Sequence, residues 1–170
     1  MNASSRLVER RRVLHYNARM RLYYAIVFSL MFLLPAACAG LEWRATEGIA
    51  SALIQKWFVF WAVGVRLLLA GSRQIVQPGY TARQILGLRG NEALLVVREL
   101  GFANVALSIV AAGSLVVPGW RVAGALAGAV FYGLAGTNHA GHAGRNRAQT
   151  VAMVSDLFVA LVLGGALWAA

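Results

Sequence analysis

Apolar residues along this chain form five long stretches, separated by short clusters of charged and small residues. The stretches cover residues 22–40, 49–77, 92–117, 120–142 and 150–169. Each offers the roughly 20 residues that a tilted α-helix needs to cross about 30 Å of hydrocarbon. The pattern predicts an all-α membrane protein: a bundle of five transmembrane helices at 22–170, preceded by a basic cytoplasmic amphipathic arm at 1–21.

Basic residues lie mainly on one side of these predicted spans. That side holds the arm, the 73–92 connection and the 143–149 connection, whereas the other side holds only three basic residues: Arg44, Lys56 and Arg121. The positive-inside rule places the basic side in the cytoplasm. The amino terminus is therefore predicted to be inside and, after five crossings, the carboxyl terminus outside. This topology is typical of a multi-pass protein of the bacterial inner membrane.

The composition agrees with this class, since 59% of the residues are hydrophobic and 13% are charged. The net charge of +10 comes largely from the predicted cytoplasmic side, and no basic helix interleaves aromatic residues for base stacking. We therefore expect membrane lipids as partners and no nucleic acid. Five arginines of the arm are candidates for contact with anionic headgroups: Arg10, Arg11, Arg12, Arg19 and Arg21.

Polar side chains recur inside the predicted spans, mostly at one depth. Eight of them are candidates for binding a ligand or an ion: Arg66, Arg73, Glu99, Asn104, Asn138, His139, His142 and Asp156. At a rise of 1.5 Å per residue, Glu99 lies about 10 Å and Asp156 about 9 Å from the predicted cytoplasmic end. Charges inside a membrane are costly and normally face the bundle interior, where they pair. The sequence therefore predicts a polar layer in the cytoplasmic half of the bundle.

Several interpretations of this polar layer stay open. Glu99 and Asp156 could neutralise nearby arginines and fix helix register, which would make the layer structural. His139 and His142, at i and i+3, could bind a metal together with carboxylates from other helices. The same groups could relay protons or ions.

A fourth interpretation is capture of an anionic or amphipathic ligand, such as a lipid headgroup or a quinone. Arg66, Arg73, His139 and His142 would then serve as hydrogen-bond donors. The sequence requires no cofactor, and it contains no recognisable nucleophile motif or phosphate-binding loop. We therefore expect no catalytic residues, with a metal and a quinone as the open cofactor options.

Small residues recur at four-residue spacing in the fourth stretch, and three glycines define the pattern: Gly124, Gly128 and Gly136. Small residues at this spacing let helices approach closely within a membrane. We expect this helix to lie at the centre of the bundle rather than on an oligomer face.

Four sequence segments resemble a known group of proteins: RLLLAGSR at 66–73, QPGY at 77–80, ILGL at 85–88 and RELGFANVAL at 98–107. Over about residues 55–168 the chain resembles small DoxX-like bacterial membrane proteins and related families of unknown function. The resemblance implies a four-helix core made of the second to fifth spans, with the first span added. Some DoxX-like proteins are subunits of quinone-linked membrane oxidoreductases, so the resemblance also implies a subunit role.

These observations predict a non-catalytic accessory or assembly subunit of a larger membrane complex, with quinone-linked or electron-transfer chemistry as one setting. Its partners would be other membrane subunits or further copies of the chain. The alternative is a stand-alone, transporter-like membrane protein that depends on ions, protons or a metal and uses the same polar layer.

Overall fold

The computed structural model describes residue 18 and residues 20–169, and all regular secondary structure among them is helical. There are five long helices, α1 (Met20–Thr46), α2 (Ala50–Val76), α4 (Glu92–Gly113), α5 (Trp120–Gly141) and α6 (Arg147–Trp168), and a short helical segment, α3 (78–85). The predicted all-α bundle is thus confirmed, and each long helix coincides with one of the five apolar stretches.

Four of the described helices are long and apolar enough to cross a membrane, namely α1, α2, α4 and α6. They indicate a multi-pass membrane protein. Helix α5 has 22 residues but does not join this group. Its length is sufficient, so its composition excludes it from this group: the glycines and the polar residues 137–139 lower its mean hydropathy. The fifth crossing and the orientation of the bundle stay predictions.

The basic arm falls mostly outside the part of the chain that the structure describes. The predicted lipid contacts of Arg10, Arg11, Arg12 and Arg19 lie outside the described residues. Arg21 is described, and its side chain is exposed within the first turns of α1. The boundary at 21/22 does not coincide with a change of structure, because helix already includes Met20.

Helices α2 and α4 cross at close range through glycines. A methyl group on Gly71 would lie 2.7 Å from the carbonyl oxygen of Gly101 and 3.0 Å from the backbone nitrogen of Val105. One on Gly64 would lie 3.0 Å from the backbone nitrogen of Ala112. These are backbone contacts, which cannot move aside as a flexible side chain can. The glycines therefore set the distance between the two helices.

The glycine pattern of α5 faces the interior. Gly124, Gly128 and Gly136 are all buried. A methyl group on Gly128 would meet Val63 of α2, and one on Gly136 would lie 2.7 Å from Leu157 of α6. Helix α5 thus packs between α2 and α6 through its small residues, as in other membrane bundles where close approach replaces hydrophobic drive.

Wide π-helical turns interrupt three of the helical segments, at Ser29–Leu33, Val59–Val65 and Thr81–Ile85. Such turns bond residue i to i+5 instead of i+4 and occur frequently at functional sites. Inside the α2 turn, the carbonyl oxygen of Ala62 accepts a hydrogen bond from the hydroxyl of Tyr132 on α5. Tyr132 is buried, so this bond joins two helices in the core.

Replacing Tyr132 with phenylalanine should destabilise the bundle by about 1 kcal/mol, the usual net value of a buried hydrogen bond. The ring would still fill its space, so the loss isolates the hydroxyl. Denaturant titration in detergent would measure it. The matched control is Tyr24→Phe, since the Tyr24 hydroxyl makes no hydrogen bond within the described residues. Equal stability of Tyr132→Phe and wild type would contradict the prediction.

The connection between α5 and α6 is held by side chains at both helix ends. Arg145 Nη1 donates to the carbonyl oxygens of Ala140 (2.7 Å) and His142 (2.8 Å), which satisfies free carbonyls at the end of α5. Asn146 and Gln149 form a capping box at the start of α6, with both hydrogen bonds at 2.9 Å. The tight turn fixes how the two helices emerge at this end of the bundle.

Candidate functional site

A cleft of about 210 Å³ lies between all five long helices and α3. Its lining combines charged, polar and apolar side chains. These are Tyr23, Ile26, Arg66, Leu67, Leu69, Ala70, Arg73, Gln74, Tyr80, Thr81, Ile85, Leu86, Leu100, Asn104, Phe131, Tyr132, Ala135, His139, Ala152 and Asp156. The cleft therefore has a mixed, amphipathic wall.

The cleft lies at one end of the bundle. Early residues of α1, α4 and α6 line it together with late residues of α2 and α5, as expected for neighbouring helices that run in opposite directions. The same end carries most of the arginines that the structure describes: Arg21, Arg73, Arg83, Arg89, Arg145 and Arg147. We call it the arginine-rich end.

Three charged side chains meet at the cleft: Arg66 and Arg73 from α2 and Asp156 from α6. Asp156 is buried, with 9% of its surface exposed, and both arginines are partly buried. Within the described residues, none of the three forms an ion pair within 4.0 Å. The ion pair that the described residues do form joins Lys56 Nζ and Glu42 Oε1 at 2.7 Å, near the end of the bundle opposite the cleft. Pairing between Asp156 and an arginine, which a structural role would require, is therefore not observed.

Helix α3 places an aromatic ring beside one of these arginines. Gln77 leaves the helical conformation, and Pro78 begins α3, which turns the chain back over the end of α2. As a result the guanidinium carbon of Arg73 lies 3.6 Å from the ring centroid of Tyr80. This cation–π contact orients Arg73 at the cleft wall.

Two amides cross the cleft between α2 and α4. Asn104 Nδ2 donates to Gln74 Oε1 at 2.7 Å, and both side chains are buried. Asn104 is only 2% exposed, yet its Oδ1 has no hydrogen-bond partner among the described residues. A buried acceptor without a partner is unusual in a folded protein and calls for a ligand or a water molecule.

Unpartnered polar atoms concentrate in this cleft. Within the described residues, five buried side-chain atoms lack a partner, and three of them belong to cleft side chains: Arg66 Nε, Tyr80 Oη and Asn104 Oδ1. Two are donor groups and one is an acceptor. The cleft thus offers free hydrogen-bonding capacity in a partly enclosed space.

The structure brings together five of the eight predicted site residues. Arg66, Arg73, Asn104, His139 and Asp156 all line the cleft. The other three, Glu99, Asn138 and His142, have exposed side chains and do not line it. The polar layer expected at one depth is therefore divided between the cleft and the outer surface of the bundle.

The predicted metal site is not assembled in the described part of the chain. No three of its His, Cys, Asp and Glu residues come close enough to hold a metal ion. His139 lines the cleft, whereas His142 is exposed and its Nδ1 lies 2.8 Å from the carbonyl oxygen of Asn138. Glu99, expected to contribute a carboxylate, lies on the outer surface.

Sequence reasoning missed five polar residues of the cleft: Tyr23, Gln74, Tyr80, Thr81 and Tyr132. Gln74 lies one helical turn after Ala70 and two after Arg66, on the face that α2 buries. Its spacing from Arg66 could therefore have identified it as a cleft residue. Tyr80 was not predictable in this way, because only the turn at Pro78 brings it back to Arg73.

Comparisons with models of protein families, with curated proteins and with solved structures find no match to this chain. The resemblance to DoxX-like proteins therefore stays a prediction.

Proposed function

We propose that this protein is a multi-pass membrane protein that binds an amphipathic molecule with an anionic or strongly polar head in the cleft. The observation that carries the proposal is that three side chains lining one cleft, those of Arg66, Tyr80 and Asn104, each have a buried polar atom with no hydrogen-bond partner among the described residues. An anionic head would accept hydrogen bonds from the arginine and the tyrosine. A hydroxyl of the same head could donate to Asn104.

The balance of charge favours an anion. Arg66 and Arg73 contribute two positive charges and Asp156 at most one negative charge. A guanidinium forms strong charge-assisted hydrogen bonds with carboxylate or phosphate oxygens. Asp156, which also lines the cleft, would repel a second negative charge and so favour a monoanion or a head that also carries hydroxyl groups.

The size of the cleft limits how much of the ligand enters. Pockets that hold whole drug-sized ligands measure about 300–1,000 Å³, whereas this cleft measures about 210 Å³. The apolar wall includes Leu69, Leu86, Leu100 and Phe131. A polar head and its first few carbon atoms fit this volume, and the remaining chain would continue into the lipid. A lipid headgroup and a quinone head both have this shape.

The arginine-rich end is proposed to face the cytoplasm of a bacterial cell, with the amino terminus inside and five crossings. The cleft would then open near the inner leaflet, where anionic lipids concentrate. The unequal distribution of arginines between the two ends supports this orientation.

Mass spectrometry of molecules that co-purify with the protein tests the proposal. We expect the wild type, extracted gently and delipidated by exchange, to retain about one equivalent of an amphipathic molecule. Asn104→Leu should lose it. Gln55→Leu is the matched control, because Gln55 is also a buried amide but lies outside the cleft and donates to the carbonyl oxygen of Ala166 at 2.9 Å. Absence of any retained molecule, or equal retention in both variants, would refute the proposal.

The accessory-subunit function stays a prediction that is compatible with this binding role. Native mass spectrometry of the same extract addresses it. Co-extraction of a different protein subunit would place the cleft in a larger complex. A chain that carries its ligand without other proteins would favour the stand-alone alternative.

A further inference from the structure

Helix α4 presents a continuous stripe to its outer surface. Its residues follow the 3-4 spacing of a heptad repeat, and every one of them is exposed: Glu92, Leu95, Glu99, Phe102, Ala106 and Ile109. We call this set the α4 stripe. The buried face of the same helix, which includes Val97, Gly101 and Asn104, packs against the bundle and is already occupied. The α4 stripe is therefore a second, separate packing surface.

The α4 stripe carries a charge where a lipid-facing surface should have none. Glu99 lies two helical turns inside α4, between the exposed apolar side chains of Leu95 and Phe102. Its neighbour Arg98 is also exposed. Within the described residues, neither takes part in an ion pair. Placing an ionisable side chain in a membrane costs free energy, and such side chains normally pair with an opposite charge. The exposed pair Arg98 and Glu99 therefore points to a countercharge supplied by another molecule.

We propose that a second copy of this chain packs against the α4 stripe, related by a two-fold axis along the membrane normal. In a parallel helix pair with heptad spacing, a side chain at position a inserts into a hole formed by four residues of the facing helix. If Glu99 occupies position a, one residue of the hole that receives it is Arg98 of the partner subunit, because Arg98 directly precedes position a. Symmetry repeats the contact, so each Glu99 gains an arginine.

Charge self-complementarity is the reason to assign a second copy rather than lipid or another protein. One helix supplies both the anion and the cation, at adjacent positions, and a two-fold axis needs both on the same surface. The small side chain of Ala106, one heptad further along the α4 stripe, permits close approach of the two helices deeper in the membrane. The inference is independent of the cleft, because none of the six stripe residues lines it.

Cysteine cross-linking in native membranes tests the dimer. In a Cys38→Ser background, which removes the single cysteine of the chain, Ala106→Cys should give a disulfide-linked dimer under mild copper-phenanthroline oxidation. Leu161→Cys is the matched control. It is exposed on α6 and lies 14 residues from the start of its helix, as Ala106 does on α4. It should give no dimer.

A charge exchange tests the proposed ion pairs. Arg98→Glu should reduce the dimer fraction at least about tenfold, because each Glu99 would lose its arginine and meet an added negative charge in its place. The double variant, Arg98→Glu with Glu99→Arg, should restore it. Restoration also shows that the chain still folds. Any of four results would overturn the proposal. The cross-linking results are no dimer with cysteine at position 106, equal cross-linking at position 161, or cross-linking only to a different protein. The fourth is failure of the double variant to recover the dimer.

Discussion

Replacement of Gly71 with valine is expected to prevent α2 and α4 from packing. The first carbon of the new side chain would lie 2.7 Å from the carbonyl oxygen of Gly101 and 3.0 Å from the backbone nitrogen of Val105. Relieving the clash requires the two backbones to move apart, which would also break the Gln74–Asn104 hydrogen bond. Overpacking usually costs about 1–3 kcal/mol, and a clash with backbone should fall at or beyond the upper end. Denaturant titration in detergent would show the loss.

Gly164→Val supplies the control for that experiment. A side-chain carbon at Gly164 has no neighbouring atom within 4 Å, so the same substitution in another long helix adds the same atoms without a clash. Its stability should stay within about 0.5 kcal/mol of the wild type. If both valine variants are equally stable, the close crossing at Gly71 is not a determinant of the fold.

Replacement of Arg66 with glutamine is expected to remove most of the ligand from the cleft. Glutamine keeps a hydrogen-bond donor but loses the positive charge, and hydrogen bonds to charged groups contribute about 1.5–3 kcal/mol. This corresponds to roughly a 10–100-fold weaker affinity. Titration of the delipidated variant with the molecule recovered from the wild type would measure the change.

Arg121→Gln is the matched control. Arg121 is also partly buried, and its Nε also lacks a partner among the described residues, but it does not line the cleft. Its substitution should leave the affinity unchanged. Equal losses in the two variants would show that the effect arises from general destabilisation and not from a contact with the ligand.

The helices could be predicted from the sequence because each apolar stretch has the length of a membrane span. At the end that carries the cleft, all five predicted boundaries lie within three residues of the boundary of the structural helix. Asp156 lies in the first half of α6, as its place in the fifth stretch predicts, and lines the cleft. Both results depend only on distance along a helix axis, which sequence position fixes at about 1.5 Å per residue.

The direction in which each side chain points could not be predicted in the same way. Glu99 and Asn104 lie five residues apart on α4, which corresponds to a rotation of about 140° at 3.6 residues per turn. Asn104 consequently faces the cleft and Glu99 the outer surface. The glycine crossing at Gly71 and Gly101 determines which face of α4 is buried, and that choice depends on a contact between distant segments.

The wide turn at Val59–Val65 also determines what α2 can present to the rest of the molecule. It separates an upstream half that buries Gln55 from a downstream half that carries Arg66 and Gln74. An i to i+5 turn encloses one residue more than an α-turn. Deleting the extra residue would restore an α-turn and leave Arg66 and Gln74 facing the cleft, whereas inserting one more residue would rotate the downstream half by about 100° and carry both side chains away from Asn104, with the upstream contacts intact. The number of residues in one turn, and not only their chemical identity, therefore encodes whether the binding groups meet.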